Sequence, residues 1–88
     1  MTIELHSKYT KSFNKRILNN PKLTAQVSER TKLFQNNPLD PVLKNHALKG
    51  VKKGFFSFSI AGDLRIIYIF KDDGHVVLVD IGSHNQVY

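Results

Sequence analysis

The 88-residue sequence contains no cysteine, so neither a disulfide framework nor a thiolate nucleophile or metal ligand is open to it. No apolar run approaches the roughly 20 residues that carry a helix across a bilayer. Met1 to His6 also lacks the basic and then apolar character of a secretory signal. A cytoplasmic chain that enters no membrane is therefore expected. The four histidines, His6, His46, His75 and His84, include no pair three to five residues apart, which removes the usual short zinc motifs. Gly50-Val51-Lys52-Lys53-Gly54 lacks the remaining residues of a phosphate-binding loop and precedes a strand instead of a helix. No metal and no cofactor are expected.

Acidic residues are also scarce. Thirteen Lys and Arg stand against seven Asp and Glu, for a net charge of +6. No acid occurs between Glu4 and Glu29 or between Asp40 and Asp63. The first window holds Lys8, Lys11, Lys15, Arg16 and Lys22; the second holds Lys44, Lys49, Lys52 and Lys53. Such windows are the electrostatic footprint of a protein that meets a polyanion, although a small basic protein also gains solubility from them.

The pattern implies one domain over residues 1–88 of the α+β class. Ile3 and Leu5 alternate with polar neighbours in Thr2 to His6, which predicts a first strand. Ser7 is then placed to cap a helix from Lys8 to Asn19, whose Tyr9, Phe13 and Ile17 recur every fourth residue on one face. Asn19-Asn20-Pro21 breaks it, and a second helix runs from Lys22 to Gln35, with Leu23, Val27, Arg30 and Phe34 along one side. After this helical hairpin the spacing turns strand-like. Phe55–Ile60, Leu64–Phe70 and Val76–Ile81, separated by turns at Ala61-Gly62-Asp63 and Asp72-Asp73-Gly74, predict an antiparallel three-stranded meander. Leu64–Phe70 is apolar on both faces except for Arg65, as a central strand would be. Gly82 to Tyr88 reads as a polar tail.

Arg65 interrupts that apolar strand and needs an anion, either a substrate phosphate or Asp63 or Asp80 across the sheet. His84 and His46 titrate near neutrality and suit proton transfer, though each is equally at home as a solvated side chain. Asp63 sits at a turn, where aspartate is common for conformational reasons, yet it can also orient a histidine or act as a base. Tyr88 is an anchor for the tail or a stacking surface for a nucleobase. Lys49, Lys52 and Lys53 are candidate phosphate contacts.

Three segments, in order, resemble the RelE/ParE superfamily of bacterial toxin–antitoxin toxins and, within it, the YafQ-like messenger RNA interferases. They are His46-Ala47-Leu48-Lys49-Gly50, then Lys53-Gly54 leading to Ser59-Ile60-Ala61-Gly62-Asp63-Leu64-Arg65-Ile66-Ile67-Tyr68, and Gly82-Ser83-His84-Asn85-Gln86-Val87-Tyr88. The resemblance implies a RelE-like sheet. It also implies metal-independent cleavage of mRNA in the ribosomal A site, with the 2′-hydroxyl attacking the adjacent phosphate. Implied partners are mRNA, the ribosome and a cognate antitoxin. By similarity His46, Asp63 and His84 match proton-transfer positions, Arg65 a phosphate-contacting arginine and Tyr88 a terminal aromatic near the substrate. Ser59 stands where YafQ-like enzymes commonly carry a histidine, and Leu64 where they carry a tryptophan. Two other readings share the fold: a ParE-like DNA gyrase inhibitor and a non-catalytic RNA-binding module.

Overall fold

The computed structural model describes residues 1–88. Strand β1, Thr2–Leu5, leads directly into helix α1, Ser7–Arg16. The cap of α1 is His6 and not Ser7: the extended backbone at His6 lets its Nδ1 accept the Lys8 N–H at 3.0 Å, and Ser7 becomes the first helical residue. A neutral imidazole nitrogen serves here as well as a hydroxyl. The helix stops at Arg16, short of Asn19, where Ile17 and Leu18 both donate to the Phe13 carbonyl and tighten the chain into a turn. Asn20 then caps helix α2, Pro21–Asn36, through its Oδ1 and the Leu23 N–H, with Pro21 in the first turn where its missing N–H leaves nothing unpaired.

Strands β2 (His46–Ala47), β3 (Phe56–Ala61), β4 (Leu64–Asp72) and β5 (His75–Ser83) follow, and a last helix, α3, covers His84–Val87. The sheet order is β1-β5-β4-β3-β2, with β1 parallel to β5 and every other pairing antiparallel. The α+β expectation of strand, helical hairpin and meander holds, and Arg65 does lie on the central strand. Two features depart from it. His46 is on a short fifth strand, because the segment after Leu43 folds back to pair His46 with Ser57 and Ala47 with Phe56. The expected polar tail is instead the end of β5 and a helical turn. Gly82 and Ser83 pair with Arg65 and Leu64, and Val87 is buried.

The core lies between the helices and one sheet face. Phe34 of α2 stacks on Phe58 of β3 with ring centroids 4.2 Å apart and meets Tyr68 of β4 at 4.8 Å. Tyr9, Ile17, Val27, Leu43, Ile60, Ile66, Val76, Leu78 and Ile81 complete the buried cluster, each aliphatic side chain contributing about 1.5–3 kcal/mol by leaving water. Tyr9, sealed beneath α1, has its phenol pushed up to about 12 by burial. No helix is long and apolar enough to cross a membrane.

Candidate active site

The sheet face opposite the core carries the polar residues. Directly paired strand neighbours point to the same side, so the pairs His46–Ser57, Ser59–Arg65 and Arg65–Gly82 put His46, Ser57, Ser59 and Arg65 on one face. Four of the expected site residues meet at one end of it.

Arg65 is the centre of that group. Its side chain is only 20% exposed and its Nη2 lies 3.5 Å from Asp63 Oδ1. Its Nη1 reaches the Tyr88 hydroxyl at 3.5 Å, and the guanidinium carbon sits 5.4 Å from the centre of the Tyr88 ring, a cation–π arrangement. The other Asp63 oxygen, Oδ2, accepts the His84 backbone N–H at 3.2 Å. The His84 ring then packs edge-on against Tyr88, centroids 4.4 Å apart. One turn carboxylate thus holds the arginine and the start of α3 together. Asp80, the other acid considered for Arg65, is elsewhere engaged: buried, it takes Arg16 at 3.4 Å, Lys8 at 3.7 Å and the Ile81 N–H at 2.9 Å.

His46 stands apart from this group, two strands from Arg65. Strand spacing of about 4.8 Å and a rise of about 3.3 Å per residue put their backbones about 12 Å apart. Its Nδ1 lies 2.8 Å from the Lys44 carbonyl oxygen. A carbonyl only accepts, so Nδ1 carries the hydrogen and the Nε2 of the neutral ring keeps a free lone pair. Next door, Asn45 fastens the segment, donating to the Pro38 carbonyl at 2.9 Å and accepting the Tyr68 hydroxyl at 2.6 Å. Burial raises the Tyr68 phenol and the Asn45 bond partly offsets that. Of the three lysines, Lys49 and Lys53 are exposed, and Lys52 Nζ sits 5.9 Å from the centre of the Phe55 ring.

No three or more His, Cys, Asp or Glu side chains gather into a group fit to hold a metal ion. Where a histidine does meet two carboxylates, His75 with Glu4 at 3.4 Å and Asp72 at 3.8 Å, Lys71 already occupies Glu4 at 3.2 Å.

The family described as a bacterial toxin of type II toxin–antitoxin systems, YafQ, matches residues 1–88. The chain belongs to the YafQ family of type II toxins. Among solved structures, a copper-bound mutant toxin from Helicobacter pylori is 31% identical, with 100% of this chain and 99% of that one covered and a TM-score of 0.81. YafQ from E. coli strain BL21(DE3) is 22% identical over 98% and 96% of the two chains at a TM-score of 0.82. The E. coli DinJ–YafQ complex gives 22% identity over the same shares and a TM-score of 0.78. No curated protein sequence matches the chain. In sequence the members of the Arg65 group stand as separate residues, and only the fold brings Asp63, Arg65, His84 and Tyr88 together. Arg16 and Gly82, which adjoin it, gave no signal there as site residues.

Proposed function

We propose that this YafQ-family toxin is a metal-independent endoribonuclease that stops translation by cutting mRNA in the ribosomal A site. The observation that carries the reading is the Arg65 group: a preoriented guanidinium flanked by His84 and Tyr88 at one end of the sheet. The reaction needs a base for the 2′-hydroxyl proton, an acid for the departing 5′-oxygen and a cation for the charge growing on phosphorus. The attacking 2′-oxygen bonds to phosphorus as the bond to the 5′-oxygen breaks, leaving a 2′,3′-cyclic phosphate and a 5′-hydroxyl.

Arg65 meets the nonbridging oxygens, and Tyr88 holds the guanidinium while offering its ring to a base. His84 is one proton-transfer group. His46 is the other, because its free Nε2 belongs to a strand on the far side of Arg65 from α3, and in-line displacement wants the two proton carriers on opposite sides of phosphorus. Asp63 supports both Arg65 and His84 and carries no proton in this scheme. Lys49, Lys52 and Lys53 line the approach to His46 and bind neighbouring phosphates. A cognate antitoxin is the expected partner, in keeping with the DinJ–YafQ complex.

Induction without an antitoxin should abolish amino-acid incorporation early, with mRNA fragments ending in cyclic phosphate. His84→Ala and Arg65→Ala should each slow single-turnover cleavage about 100-fold or more, with an unchanged melting temperature for His84→Ala and a lowered one for Arg65→Ala, which leaves Asp63 without its partner. Purified toxin stripped by chelator should keep its activity on ribosomes supplied with magnesium. Gyrase-cleaved DNA accumulating while translation continues would overturn the reading in favour of the gyrase inhibitor.

A further inference from the structure

Beside Asp63, an open cleft of about 460 Å³ lies between the end of α1 and the start of α3. Lys15, Arg16, Asp63, Ser83 and Gln86 form its polar walls, and Ile17, Leu23 and Leu64 its apolar lining. Arg16 is fixed there. Its Nη1 donates to the Ile81 carbonyl at 2.8 Å and lies 3.4 Å from Asp80, and its side chain is 24% exposed. The Nε and Nη2 hydrogens make no bond within the protein.

Gly82 explains how the arginine fits. A Cβ at that position would lie 2.7 Å from Arg16 Nη1 and 2.7 Å from Gln86 Oε1, so a side chain there would push the ends of both aside. Gly82 pairs with Arg65, so Arg16, at the end of α1, reaches the strand that neighbours the one carrying Arg65. Gln86 is itself held by the Ser83 N–H at 2.8 Å. Asp80 does not account for all of the arginine, because it also has Lys8 and the Ile81 N–H. The unused donors on Nε and Nη2 form a fork suited to two phosphate oxygens, and Lys15 lines the same cleft.

We infer that this cleft is a second phosphodiester subsite, in which Arg16 and Lys15 bind the phosphate next to the scissile one on the cleaved strand. The inference rests on the nuclease reading above. A strand held at two adjacent phosphates is fixed in direction as well as position, so the subsite raises the fraction of bound RNA aligned for in-line attack.

The probe is a 2′-O-methyl oligoribonucleotide, which binds and is not cut, with and without one neutral methylphosphonate linkage beside the mapped scissile position. Lys15→Gln should weaken binding several-fold and flatten the slope of log affinity against log salt by about 0.7. Arg16→Lys, which keeps a cation beside Asp80, should weaken binding about 10-fold with little change in melting temperature. The methylphosphonate should weaken wild-type binding about 10-fold while leaving a double variant, Lys15→Gln with Arg16→Lys, unaffected. If both variants match wild type on the oligonucleotide, the subsite is absent, and this holds too if they lose only ribosome affinity, which would assign the cleft to ribosomal RNA. Wild-type protein that neither binds nor cuts RNA would instead sink the nuclease reading itself.

Discussion

The Asp63 carboxylate accepts the backbone N–H of His84 at 3.2 Å across 21 positions of sequence, and its second oxygen faces Arg65 at 3.5 Å. A base that must collect a proton needs a lone pair free to reach the substrate, whereas both oxygens here are turned to partners within the protein. Asp63→Asn, whose amide oxygen can still accept the His84 N–H, should therefore keep cleavage within about 10-fold of wild type, while Asp63→Ala should lose about 100-fold by releasing both partners. Equal losses in the two variants, with one limb of the pH–rate profile gone, would make Asp63 a proton carrier.

The basic segment before β3 allows a quantitative test. Replacing Lys49, Lys52 and Lys53 together by Gln should flatten the salt dependence of RNA binding by about 2 in the log–log slope, since each single-strand phosphate contact accounts for about 0.7. Cleavage of bound substrate should change little. Binding assays at several salt concentrations check this, and an unchanged slope would return these lysines to the role of solvated charge.

Tyr68 couples the core to the site. Its hydroxyl donates to Asn45 Oδ1 at 2.6 Å, and Asn45 adjoins His46. Tyr68→Phe strands that acceptor and should lower stability by about 1–2 kcal/mol, or roughly 4–8 °C in melting temperature per kcal/mol for a domain of this size. Amide exchange over residues 44–48 should accelerate. A stable variant with unaltered exchange there would show that β2 holds without the tether.

At the other end of the sheet, the bond and charge of Lys71 keep the Glu4 carboxyl below its ordinary value of 4.5, with a smaller contribution from His75. A carboxylate whose pKa is depressed in the folded state stabilises the fold above its unfolded value and loses that contribution as the pH falls through the folded value. Glu4→Gln should thus make unfolding less steep in pH below about 4.5, where β1 is held to β4 across β5. Acid titrations followed by circular dichroism check it, and identical acid transitions would show that the pair adds nothing to stability.

Much of this architecture was present in local pattern. The spacing of Tyr9, Phe13 and Ile17, the Asn20-Pro21 break and the apolar run around Arg65 specified two helices and a central strand, because helix and strand periods are properties of neighbours in sequence. His46, Asp63, Arg65, His84 and Tyr88 were each visible as chemistry out of place or through resemblance. What no local signal carried was their arrangement. The parallel pairing of β1 with β5, the short β2 and the Asp63–His84 bond each join segments whose contact exists only after the chain has collapsed. The same holds for Gly82: in sequence it is one of five glycines, and only the folded chain brings the ends of Arg16 and Gln86 against it.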